Sequence, residues 1–169
     1  DMKAALLGVD DALALRPPAE NEWPLRRVLL HVVGAERTFF AILVYAIERA
    51  RLQDGLPLEM SDEEWERFWA ADPADALQES GTFSAILAYF AGLHARVLNA
   101  FVDLSDDELA APSVYWESTP MPVRFRLHRF HSHMRQHTIQ MDKARARLEP
   151  DSGEALRLLR MIYATLAQV

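Results

Sequence analysis

The sequence predicts an all-α protein, a four-helix bundle with a long connection between its second and third helices. Apolar residues recur at helical spacing through nearly every long segment, and no alternating pattern persists as a strand would require. Prolines, glycines and capping residues punctuate the periodic stretches. The chain has 169 residues, 50% apolar and 25% charged, which suits a single domain over 1–169 with a full core.

Met2, Leu6, Val9 and Leu13 form the first helical stripe, ended by Pro17-Pro18. A second helix begins near Trp23-Pro24, proline being tolerated in the first turn, and runs to about Leu52 before Gly55-Leu56-Pro57. Its stripe is Val28, His31, Ala35, Phe39, Ile42 and Ala46. Residues 54–81 are acidic and contain Pro57, Pro73 and Gly81. Within them Ser61-Asp62-Glu63-Glu64 reads as a capping box opening a short helix, with Trp65, Phe68 and Trp69 on one side. A connection of about 25 residues needs such structure of its own. It is long enough to carry the chain back along the bundle, so the helices it joins need not be antiparallel neighbours.

The third helix covers roughly Thr82 to Leu104, with Phe83, Leu87, Phe90, Val97 and Phe101 inward. An acidic turn, Ser105 to Glu108, and a loop from Ala111 to Pro122 follow. The fourth helix runs from about Pro122 to Leu148, ahead of Pro150. The fifth covers Glu154 to Ala167, with Ala155, Leu159, Ile162 and Leu166 as its stripe. There is no internal repeat.

Composition narrows the function. Net charge is −7 and the basic residues are scattered, apart from a stretch from Arg124 to Arg147 that shares its helix with histidines and acids, so no nucleic-acid partner is expected. The chain has no cysteine, which excludes disulfides, thiolate ligands and a cysteine nucleophile. No run approaches the roughly 18 apolar residues of a membrane span. The N-terminal segment carries acids within its apolar period and reads as an amphipathic helix rather than a signal peptide. No membrane association and a cytoplasmic location are the expectations.

The residues that carry chemistry are histidines. His133 and His137 lie four apart, slightly more than one turn, so they project from one helical face and can chelate a divalent ion. With Phe130 at zero on a wheel of ~100° per residue, His137 falls near −20° and His133 near −60°, on or beside the buried stripe. His131 and His128 fall near +100° and 160°, facing flank and solvent. His31 is the best candidate for a third ligand. A histidine on an apolar stripe is also commonly a hydrogen-bonded core residue, and that reading stands beside the metal one for His31 and for His94. The pair is not a zinc-protease HExxH, because Met134 stands where the glutamate base would be. Gln140, near −80°, is either an orienting partner of the pair or a boundary residue, the second slightly favoured. Glu36 is ~140° from His31 on their helix, a poor co-ligand that packs at another helix boundary. The aromatic loop Val114 to Ser118 forms either a lip over a pocket or a packing anchor.

These segments resemble a known family. Trp23 to Phe40, with Trp23-Pro24 followed by His31 and Glu36, is similar to the second helix of DinB/YfiT-like proteins. His133-x3-His137-x2-Gln140 is similar to that family's H-x3-H-x2-Q helix. The helical layout and the long second connection also fit, so the resemblance spans essentially the whole chain. It implies an up-down-down-up bundle, commonly a homodimer. It also implies a divalent metal, usually zinc or nickel, held by His31, His133 and His137, with water or substrate in the remaining positions. Relatives include transferases and isomerases that use bacillithiol, mycothiol or glutathione. By this resemblance the chain is expected to be a metal-dependent hydrolase or thiol-dependent transferase acting on a small molecule, or else a non-catalytic metal-binding stress or interaction protein. Two departures stand out. Pro24 occupies a position where a capping serine often follows the tryptophan, and Met134 one where some members carry an acid.

Overall fold

The computed structural model describes residues 2–53, 55, 57–150 and 153–166, and the class is all-α. In chain order the elements are α1 (Met2–Leu6), α2 (Asp11–Leu15), α3 (Leu25–Leu52), α4 (Asp62–Trp69), α5 (Ala74–Ser80), α6 (Phe83–Phe101) and α7 (Asp106–Ala110). A two-stranded antiparallel ladder of β1 (Pro112–Ser113) and β2 (Met121–Pro122) precedes α8 (Val123–Leu148) and α9 (Glu154–Leu166). The expected end of the last helix at Ala167, and Leu56 of the expected break, lie outside the described residues.

α3 is the central element and packs against both α6 and α8. Its first turns join Leu25, Val28 and Leu29 to Phe83, Ile86 and Met141. Its middle joins Phe39 to Leu93, Val97 and Phe130, and its end joins Leu43 and Ile47 to Val123 and Ala111. Partners on α8 therefore descend in number as α3 ascends, so these two helices are antiparallel. Partners toward α6 ascend: Arg26 donates to the Gly81 carbonyl, Glu36 meets His94, and Phe40 meets Phe101. α3 and α6 run parallel, which the long intervening connection makes possible. Each fully buried leucine or phenylalanine on this frame contributes about 1.5–3 kcal/mol.

Several sequence expectations are corrected. The single first helix is two, because Gly8 adopts φ +77 and Asp10 starts a new helix, its side chain accepting from the Leu13 amide. Arg145 of α8, 1% exposed, caps the end of α1 by donating to the Ala5 and Leu7 carbonyls. The connection holds two short helices instead of one. The capping box of Ser61 and Glu64 opens α4 as expected, while α5 follows Pro73, with the Asp72 carboxylate accepting from the Ala74 amide at its start. The acidic turn at Ser105 is a full capping box with Glu108 that opens α7. The loop to Pro122 contains a short ladder despite the absence of any alternating run.

The stripe expected on α9 is not buried: Leu159 is 47%, Ile162 55% and Leu166 65% exposed. α9 rests mainly on α1, whose five residues span about 7.5 Å and cannot cover a helix more than twice as long. The expectation that no run approaches a membrane span also needs correction. Within α3 an 18-residue window reaches mean hydropathy 1.6, and by length and composition it qualifies. Half of that window is buried inside the fold, where its apolar surface forms the three core clusters.

Gly8→Ala tests the break between α1 and α2. A Cβ there would meet nothing closer than 3.8 Å, so any cost is conformational. A loss of about 1 kcal/mol in the urea unfolding free energy is expected. Unchanged or increased stability would contradict the left-handed geometry.

Candidate metal centre

The antiparallel pairing of α3 and α8 brings His31 against His133 and His137. Nε2 of His133 lies 3.3 Å from Nε2 of His31 and 3.1 Å from Nε2 of His137. One nitrogen from each ring falls within a 4.8 Å cluster, and the three could hold a metal ion. Donors about a tetrahedral ion with metal–nitrogen bonds of about 2.0–2.1 Å stand roughly 3.3 Å apart, so the observed separations fit the donor set. His137 is 7% exposed and His133 half-buried, while His31 lies exposed at the edge of the α3 stripe. Trp23 packs edge-on against the His31 ring at 5.5 Å, which gives the Trp-Pro sequence a physical task beside the helix start.

Gln140 turns out to be an orienting residue, against the slightly favoured reading of it as a boundary residue. Its Oε1 accepts from Nδ1 of His137 at 2.8 Å. That bond keeps the proton on Nδ1 and leaves the Nε2 lone pair free for a ligand role. Nδ1 of His133 is buried without a partner, so the cluster is not closed as a hydrogen-bonded network of its own. Burial, followed by the charges of His137, His31 and Arg129, lowers the His133 pKa to about 4. The His31 pKa is also lowered, mainly by burial and then by His137. Both effects favour neutral imidazole, the form that ligates.

A cleft of about 520 Å³ opens beside the cluster and is lined by both His31 and His133. Phe39, Tyr115 and Phe125 form apolar wall, and Arg129 supplies a cation. The aromatic loop serves as both lip and anchor: Tyr115 packs on Phe39 at 5.3 Å, while Trp116 is 79% exposed at the rim. Burial, the largest influence, raises the Tyr115 pKa. Arg126 holds this loop. It is 2% exposed, pairs with Glu117, and donates to Ser113 Oγ and the Ser113 and Thr119 carbonyls. Arg126 is absent from the residues the sequence singles out, although at about −40° from Phe130 it lies on the same inward stripe.

The other histidines separate as the wheel indicated. His128 and His131 are exposed. His94 lies apart from the cluster, with Nδ1 2.6 Å from Oε1 of Glu36. Glu36 is fully buried and is not part of the histidine cluster, in keeping with its position far around α3 from His31.

The class this defines is an all-α protein with a three-histidine cluster that could hold a metal ion beside an open cleft. The sequence matches the family model of the DinB superfamily over residues 1–141, and the chain belongs to that superfamily. No curated protein and no solved structure shows a significant match.

The His133 pKa can be read by heteronuclear NMR on metal-free protein. Its ring is expected to titrate near pH 4 instead of the ordinary 6.5. Since the unfolded state then binds the proton more readily, the metal-free fold should lose stability as the pH falls from about 6.5 to about 4. A His133 titration at 6.5 would show the ring to be solvated.

Proposed function

We propose that this protein is a metal-dependent enzyme in which His31, His133 and His137 hold a divalent ion, zinc or nickel. The observation that carries the reading is the convergence of three Nε2 atoms, two of them on rings that line an open cleft. A divalent ion with three neutral ligands keeps its full charge, and when bound it lowers the pKa of a water or thiol at an open position. The chain contains no cysteine, so a reacting thiol would come from a low-molecular-weight cofactor such as bacillithiol, mycothiol or glutathione.

The protein's own groups would bind and orient. Gln140 fixes the His137 ring, Trp23 and the other two imidazoles confine His31, and Arg126 holds the aromatic lip in place. Phe39, Tyr115 and Phe125 offer an apolar surface to a small electrophilic substrate and exclude water from that side. In transfer, the thiol sulfur would form a bond to the substrate carbon, the leaving group would depart with the electron pair of the broken bond, and the thiol proton would pass to solvent. In hydrolysis a water would replace the thiol. A purely structural metal site would be closed around its ion. The exposure of His31 and the adjoining cleft favour the catalytic reading over that alternative. A homodimer, by family resemblance, and a cytoplasmic location, by composition, are part of the same proposal.

Elemental analysis of untagged protein is expected to find about one divalent ion per chain, and His31→Ala and His137→Ala to lose it while keeping the helical circular-dichroism signal. Full metal retention in either variant would remove that residue from the ligand set. The wild-type protein should transfer a thiol to, or hydrolyse, a member of an electrophile panel, and both variants should fail. A metal-loaded protein inert across the panel would favour the non-catalytic reading.

Gln140→Ala tests orientation separately. Metal affinity should fall by roughly 10–100-fold, measured by competition with a chromophoric chelator. Unchanged affinity would make the bond to His137 incidental.

A further inference from the structure

On another side of α8 lies a second cleft, of about 550 Å³, that the metal centre does not use. It is bounded by α1, α6, α8 and α9. Phe90, Met134 and Tyr163 supply apolar surface, and Lys3, His94 and Arg135 supply nitrogen. None of its lining residues is acidic, although the protein as a whole carries a charge of −7. Neither Lys3 nor Arg135 makes a hydrogen bond or ion pair among the described residues.

His94 is held in this cleft from two directions. Its ring stacks on Phe90 at 5.8 Å with a 22° interplanar angle, and its Nδ1 meets Oε1 of Glu36 at 2.6 Å. Glu36 has no exposed surface, and its second oxygen, Oε2, has no partner. A buried carboxylate is costly, and this one is aimed at a single imidazole instead of being spread over several donors. The effect is to anchor Nδ1 and leave Nε2 as the free nitrogen of a ring at the cleft surface.

We propose that this cleft is a second ligand site, taking a small amphipathic carboxylate whose apolar body rests on Phe90, Met134 and Tyr163 and whose head lies against Lys3 and Arg135. The chemistry of the lining selects the class. Apolar walls alone would take any hydrophobic molecule, while two cations without partners among the described residues favour an anionic head, and the anchored His94 ring adds a flat wall. Lys3 and Arg135 come from α1 and α8, so the ligand would also tie the short first helix to the frame.

Octanoate, octanol and inorganic phosphate serve as probes, titrated into the full chain by calorimetry. Octanoate should bind saturably at one per chain. Octanol and phosphate should each bind on the order of tenfold more weakly, one lacking the head and the other the body. Lys3→Gln/Arg135→Gln should reduce octanoate affinity on the order of tenfold and leave octanol unchanged, since both side chains are exposed and the fold does not depend on them. His31→Ala and His137→Ala should bind octanoate as the wild type does, which separates this site from the metal centre. The proposal is overturned if octanoate does not saturate, if octanol or phosphate equals it, if the double variant binds it normally, or if the histidine variants lose it.

Discussion

The antiparallel register of α3 and α8 is the constraint on which the rest of the molecule depends. Leu25 and Val28 share a cluster with Met141, Phe39 lies against Phe130, and Leu43 and Ile47 meet Val123. These apolar contacts fix how far one helix slides along the other. His31 and the pair His133 and His137 occupy the interval between the first two contacts. A shift of one turn, about 5.4 Å, would disperse nitrogens that now lie 3.1 and 3.3 Å apart. Hydrophobic packing thus supplies the precision that a coordination site requires, and the histidines themselves need contribute none of it.

Charge at the cluster follows from the same packing. Burial first, then the neighbouring imidazoles and Arg129, hold His133 toward its neutral form, and Gln140 selects the tautomer of His137. Arg126 illustrates the opposite solution. Its guanidinium is buried but surrounded by the Glu117 carboxylate and backbone carbonyls, so its charge becomes a clasp for the loop over the cleft. Burial therefore removes a charge in one place and employs it in another, according to the partners available.

α8 serves two clefts at once. His133 and Arg129 line one, while Met134, Arg135 and Thr138 line the other. Adjacent residues on a helix point ~100° apart, so a single turn can supply both. The buried carboxylate of Glu36 holds His94, which lines the second cleft, and stands apart from the histidine cluster, whose candidate donors are all nitrogen.

Much of this was legible in the chain because helical period and side-chain spacing are local properties. They placed the three longest helices within a few residues, put His133 and His137 on one face, sent His128 and His131 outward, and kept Glu36 away from the cluster. The capping box at Ser61 is legible in the chain, whereas the equally clear one at Ser105 reads as an acidic turn until α7 is seen behind it. Local pattern could not show that Gly8 would break the first helix, because glycine is tolerated within helices as well as at their ends. Nor could it show that α9 would leave its stripe exposed, since amphipathic period says which face is apolar and not whether anything covers it. The bond that Gln140 accepts from His137 lies within α8, and the clasp of Arg126 joins α8 to the loop just before it, but the partnership of His31 with the pair a hundred residues away depends on relative helix register. That register is set by the summed burial of three core clusters, a quantity that exists only once α3, α6 and α8 are packed.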